Sequence, residues 1–162
     1  PDSLAAAVLL EDKVPTPAMF PNDAWDRAWV IWLNDFLGTG LFSKIEAPLF
    51  VQRFINHKLQ QQDPDLAKID EALALLPSHF DYLESQLDDG RRFLVGETMT
   101  LVDLTAATIF INLRHAGEEV DADRWPHLAA FVRRMHDRPS IKVIIDAHRE
   151  MFGAISPLFA TD

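Results

Sequence analysis

Cysteine is absent from this 162-residue chain. That excludes disulfides, thiolate nucleophiles and metal sites built on Cys, and it fits a reducing compartment. Glycine is sparse, at 6 residues. No glycine-rich phosphate loop exists, because Gly38-Thr39-Gly40 is too short and follows no strand. No run alternates apolar and polar residues like a half-buried strand. Long apolar runs are missing too: none approaches the roughly 20 residues that span a bilayer, and no basic leader precedes an apolar stretch. Positive charge is in deficit, with 15 Lys and Arg against 25 Asp and Glu and a net charge of −10. The basic residues are scattered apart from the pairs Arg91-Arg92 and Arg133-Arg134. They form no basic face to neutralise phosphates, which argues against nucleic acid and anionic membrane surfaces as partners. The expectation is a soluble cytoplasmic protein.

What remains is helical. Hydrophobic residues make up 48% of the chain, enough to bury a core without staples. Asp2 or Ser3 is placed to cap a short helix over Leu4 to Lys13. Three prolines within Pro15–Pro21 then exclude a helix and predict a semi-rigid linker. Asn22 is the expected cap of a second helix, in which Trp25, Ala28, Trp29, Trp32, Leu33 and Phe36 share one broad face. Gly38-Thr39-Gly40 is expected to weaken or break it, with helix resuming after Pro48. From Leu66 to Leu87, apolar residues step by three and four in a heptad seam that suits a bundle core, with a kink expected at Pro77. Thr100-Leu101-Val102-Asp103 is an acidic capping box for a helix that Gly117 ends. Pro126 opens the next helix, and Ser140 is the expected cap of the last. Six or seven helices with short connections give an all-α bundle.

Catalytic constellations are scarce. The six histidines form no HExxH pair, no GxSxG elbow occurs, and the acidic residues read as solvated faces. No metal is expected. Asp103 stands three residues after Thr100, which gives it a structural role in the capping box. The tryptophans Trp25, Trp29 and Trp32 suit either core packing or the wall of an apolar ligand pocket, with Phe36 and Phe42 beside them.

Residues 93–104, Phe-Leu-Val-Gly-Glu-Thr-Met-Thr-Leu-Val-Asp-Leu, resemble the F-L-x-G-x-x-x-T/S-x-A/V-D signature of the glutathione transferase C-terminal domain. Trp125-Pro126-His127-Leu128, with Phe131 after it, and Arg138-Pro139-Ser140-Ile141 resemble two further motifs of that family. Leu37-Gly38-Thr39 and Pro48-Leu49-Phe50 resemble its bacterial members, and the proline linker resembles the connection between its two domains. The matches are in order over nearly the whole chain. The resemblance implies three parts: residues 1–13 as the last helix of a thioredoxin-like domain, 14–21 as the linker, and 22–162 as the helical domain. Most of the thioredoxin-like domain would then be missing from this chain.

The resemblance also implies a chemistry. The whole enzyme would add the glutathione thiolate to an electrophile, with glutathione as co-substrate and no resident cofactor. Asp2 and Ser3 match the acidic residue and serine that hold the γ-glutamyl carboxylate of glutathione. Trp29, Trp32, Phe36 and Phe42 would line the pocket for a small apolar electrophile, and a homodimer is implied. The family's thiol-activating Tyr, Ser or Cys and its cis-proline loop have no counterpart here. Where bacterial members often carry a histidine just past the Thr39 position, Phe42 lies nearest, and Tyr82, the one tyrosine, sits in the heptad helix. Two other readings stay open on the residues alone: a non-catalytic helical module that binds a partner protein, and a carrier of apolar ligands.

Overall fold

The computed structural model describes residues 3–159, and Asp2, with its expected capping and glutathione-binding roles, lies outside them. The first helix, α1, runs Ser3–Lys13, so Ser3 is its first residue rather than its cap. The proline segment that follows is tied down at its far end. The Glu11 carboxylate accepts the backbone N–H of Met19 at 2.8 Å and of Phe20 at 3.4 Å. The Met19 carbonyl in turn accepts the N–H of Leu101 at 3.0 Å, and Phe20 is buried in the bundle core. Thr16-Pro17 is a cis peptide.

Helix α2 is Ala24–Asp35, and its cap is Asp23, not Asn22. Asp23 Oδ1 accepts the N–H of Trp25 at 2.9 Å and of Asp26 at 3.1 Å. A carboxylate there also complements the positive helix end, which an amide does not. The expected break at Gly38-Thr39-Gly40 does not occur. The helix continues in π form over Phe36–Glu46, makes one α turn, α3, at Ala47–Leu49, and runs on in π form over Phe50–Leu59. Gly40 has a packing role instead: a Cβ added there would meet His79 Nε2 at 2.9 Å. The glycine therefore marks a close helix crossing rather than a stop.

Helix α4, Leu66–Gln86, is capped by Asp65 and turns the buried seam Ile69, Ala72, Leu76, Phe80 and Leu83 inward. Leu66 begins the expected heptad but is exposed. Pro77 lies inside the helix and has no N–H to offer the Leu73 carbonyl. Helix α5, Leu101–His115, is the central element, packed against α2, the π segments and α6, and most of its residues are buried. Helix α6, Pro126–His136, borrows its N-cap from α4. The Glu84 carboxylate accepts the N–H of His127 at 3.0 Å and of Leu128 at 2.7 Å. The last helix, α7, is Pro139–Phe152 with Arg138 as cap, so Ser140 sits inside it rather than capping it. Pro139 at the first helical position explains the shift, because its fixed φ starts the helix one residue early. A 3₁₀ turn, Pro157–Phe159, closes the chain over α5.

The architecture is an all-α bundle, and no strand occurs among the described residues. No described helix is long and apolar enough to cross a membrane. Packing corrects the reading of the tryptophan helix. Its core-facing stripe is Val30, Leu33, Leu37, Leu41 and Ile45, all buried, whereas Trp25 is 85% exposed and Trp29 and Trp32 are exposed as well. Both stripes have helical spacing, and the aliphatic one fits the close approach to α5.

Candidate functional site

Two of the sequence-derived candidates meet in one cavity of about 210 Å³. Ser3 enters it from the start of α1. Asn34, Gly38 and Phe42 enter at steps of four along the α2–π helix, and Thr105, Thr108 and Ile109 enter from α5. An added Cβ at Gly38 would meet nothing within 4 Å, so the missing side chain enlarges the space. Thr105 Oγ1 donates to Asn34 Oδ1 at 2.7 Å, and Thr108 Oγ1 donates to the Thr105 carbonyl at 2.9 Å. The first bond fixes the Asn34 amide with its oxygen toward α5 and its N–H₂ available as a donor. The cavity thus joins an aromatic wall, three hydroxyl residues and an amide donor at the base of α1.

The other pocket candidates lie elsewhere. Trp29 stacks on Trp32 with ring centroids 4.8 Å apart, and Trp32 stacks on Phe36 at 5.8 Å. Phe36 meets Tyr82 at 4.7 Å and His79 at 5.4 Å, both from α4. The structure therefore groups Trp29, Trp32 and Phe36 in an aromatic ladder along α2 and α4, while Phe42 lines the cavity with Ser3. Tyr82 and His79 were not singled out as partners of the ladder. Their only sequence signal is that they flank Phe80 and Leu83 on the heptad helix.

One turn beyond Phe42 and Thr108 along the same two helices lie Glu46 and Asn112. Glu46 is 1% exposed, and burial pushes its carboxyl up to about 7, against a hydrogen bond from Asn112 that lowers it. Its Oε2 has no hydrogen-bond partner. Sequence reading missed it because an isolated glutamate on a helix looks like any solvated one.

Thr100 and Asp103 form the capping box at the start of α5. Asp103 Oδ2 accepts the Thr100 N–H at 2.7 Å and its hydroxyl at 3.1 Å, and Oδ1 accepts the N–H of Leu94 at 2.8 Å. Burial raises the carboxyl's pKa, and these three bonds oppose the rise. A carboxylate so engaged and wholly buried is closed to a reactant from solvent, and its task is to pin residues 94–100 to the helix. A further buried cluster ties α5 to the chain's end: His115 Nδ1 bonds Ser156 Oγ at 2.5 Å, and its Nε2 bonds His148 Nδ1 at 3.0 Å. No group of three or more His, Asp or Glu among the described residues could hold a metal.

Known proteins share the fold. Residues 50–146, more than half the chain, match the family model described as "Glutathione S-transferase, C-terminal domain". No curated protein sequence matches the chain. Among solved structures, a glutathione S-transferase from Rhodospirillum rubrum is 26% identical with a TM-score of 0.78. The match covers 86% of this chain but only 62% of that one, so the chain spans under two thirds of the relative's length. A glutathione S-transferase from Sinorhizobium meliloti is 22% identical with a TM-score of 0.78, covering 94% of this chain and 67% of that one. A glutathione transferase from Phanerochaete chrysosporium, solved with oxidized glutathione, is 24% identical with a TM-score of 0.71 and the same coverages. These likenesses, the family match and the capping-box signature agree: the chain belongs to the glutathione S-transferase C-terminal domain family.

Proposed function

We propose that this chain is the helical part of a glutathione-conjugating enzyme, in which the glutathione thiolate attacks a small apolar electrophile. The observation that carries the reading is the cavity that joins Ser3 to Phe42. Ser3 stands at the N-terminal end of α1, where backbone N–H groups and a hydroxyl favour a carboxylate such as that of the γ-glutamyl group. Asp2, beside it, completes this end by resemblance. Phe42 and Ile109 give the cavity an apolar wall for the electrophile, and the Asn34 amide offers a donor at its side. Lowering the thiol pKa falls to a thioredoxin-like domain, since free thiols are mostly protonated at neutral pH. Residues 1–13 are read as the last helix of that domain, 14–21 as the connection, and 22–162 as the helical domain.

The exposed Trp29–Trp32–Phe36 ladder is read as the homodimer contact, not as part of the electrophile pocket. Exposed, stacked aromatics are enriched at interfaces. The same ladder supports the second reading, a helical module that binds a partner protein without catalysis. Calorimetric titration with glutathione and with S-hexylglutathione separates the two. Binding of both, tighter for the hexyl thioether and weakened by Phe42→Ser, is the expected result. No heat with either ligand would reject a glutathione site in this chain and leave the interaction module as the better account.

A further inference from the structure

A cavity of about 340 Å³ opens between α5, α6 and the connection before α6, and it shares no lining residue with the Ser3–Phe42 cavity. Its floor is apolar, with Phe110, Val120, Ala129 and Val132. That volume lies in the range of small-molecule sites.

One polar group belongs to the wall. His136 is only 8% exposed, and its Nε2 lies 3.0 Å from the Ala107 carbonyl oxygen. A carbonyl oxygen only accepts, so Nε2 carries the hydrogen and Nδ1 of the neutral ring carries a lone pair. Burial lowers the pKa of His136, and Arg114 adds to the fall, so the neutral form holds at pH 7 despite the opposing Ala107 bond and Asp137 charge. Nδ1 has no hydrogen-bond partner among the described residues. The cavity wall therefore carries a ring acceptor that no described protein donor meets, on a side chain that is itself largely buried.

The charges at the mouth sort themselves. Arg114 pairs with Glu119 at 3.1 Å, and Glu118 pairs with Arg53. Arg133 and Asp137 also line the mouth, and neither is in an ion pair among the described residues. They are four residues apart at the end of α6, hence near one another on one side of it. A cation and an anion so placed match a molecule that carries an ammonium and a carboxylate on one carbon.

We propose that this cavity is a binding site for a free aromatic α-amino acid whose side chain carries an N–H or O–H. Its carboxylate meets Arg133 and its ammonium meets Asp137. The ring lies on the apolar floor, and the side-chain donor reaches His136 Nδ1. Tryptophan has the required parts, and three relatives each lack one: phenylalanine the ring donor, tryptamine the carboxylate, and indole-3-propionate the ammonium.

The test is a titration of the ¹⁵N-labelled chain with L-tryptophan, following amide shifts by NMR. Saturable shifts at residues of α6 and the 117–125 connection, half-complete near 1 mM or below, are expected (about −4 kcal/mol). Each of the three relatives should bind about tenfold more weakly, the size of one lost hydrogen bond or exposed charge contact. Arg133→Gln, at an exposed position, should weaken tryptophan about fivefold and leave tryptamine unchanged. Equal binding of all four compounds, or an Arg133→Gln variant that binds tryptophan like the parent, would overturn the proposal. So would the absence of saturable shifts at the solubility limit of tryptophan. Phenylalanine binding as well as tryptophan would reject the role of His136 without any variant that risks the fold.

Discussion

The Asp103 carboxylate takes the backbone N–H of Leu94 at 2.8 Å, nine residues back along the chain and from outside its own helix. A capping box ordinarily closes on itself. Here its acidic member also anchors the preceding loop, and two consequences of the signature, the helix start and the loop position, share one side chain. Replacing it strands the N–H of Leu94 and of Thr100 in a buried setting. Asp103→Ala is expected to cost about 3 kcal/mol, read from urea unfolding. Asp103→Asn should cost less, because its remaining oxygen still satisfies one side.

A second prediction contrasts two neighbours on α2. Leu33 is fully buried and Trp25 is 85% exposed. Leu33→Ala should destabilise by about 2–5 kcal/mol through lost burial and a residual cavity. Trp25→Ala removes a far larger side chain yet should stay within about 0.5 kcal/mol. Denaturant midpoints of the two variants decide this, and a larger loss at Trp25 would mean that the aromatic stripe is core after all.

That contrast shows where the sequence was legible. The capping box, the buried seam of α4 and Pro126 at the head of α6 are local patterns, and each is found where the spacing placed it. Three local readings failed for identifiable reasons. Asp23 outcompeted Asn22 as cap because a carboxylate suits the helix end better. Pro139 started α7 ahead of Ser140. Gly40, read as a breaker, serves a close approach to His79 that only the fold reveals. The candidate site was less legible. Spacing puts Trp29, Trp32, Phe36 and Phe42 along one helical run, but it cannot say which side meets α5 and which meets α4. The cavity residues Asn34, Thr105 and Thr108 carry no motif at all.

Glu46 sets a pH dependence. Its folded pKa, about 7, lies above the ordinary glutamate value of 4.5, because burial penalises the charged form. Its contribution is therefore fully present below pH 4.5 and is lost as pH rises through 7. The loss approaches about 3 kcal/mol above pH 7. Glu46→Gln should remove this slope and leave the variant more stable than the parent at pH 8. Urea unfolding at several pH values checks it, and parallel curves for the two proteins would show that Glu46 is not buried as a neutral acid.

His115 acts in the opposite sense. Burial, with the positive charge of His148 and Arg114, lowers its pKa from 6.5 to about 4. Its contribution is full above pH 6.5 and is lost as pH falls through 4. Protonation also converts its acceptor nitrogen to a donor, so one of its two bonds, to Ser156 or to His148, must rearrange. The His115 ring signals should show no titration near pH 6.5 by NMR and should shift only as pH approaches 4. Amide exchange in residues 153–159 should quicken over the same range. With Glu46 weakening the fold as pH rises and His115 as it falls, the parent's stability should peak between these two limits.

The ladder from Trp29 through Trp32 to Phe36 offers the last prediction, on assembly. Two of its rings are exposed while stacked on one another, which leaves an apolar strip facing water. Burial of that strip against a second copy would gain about 25 cal/mol per Å² of apolar area. Trp32→Asp places a charge in the middle of it, and Trp32 is not one of the residues that line the cavity. If the ladder is the homodimer contact, light scattering should give twice the chain mass of 18.4 kDa for the parent and the single mass for the variant. S-hexylglutathione binding should survive the substitution, because the Ser3–Phe42 cavity lies on the α5 side of the helix. A parent that is already monomeric would assign the strip to a different partner. Joint loss of dimer and ligand binding would mean that the site is completed by the second copy.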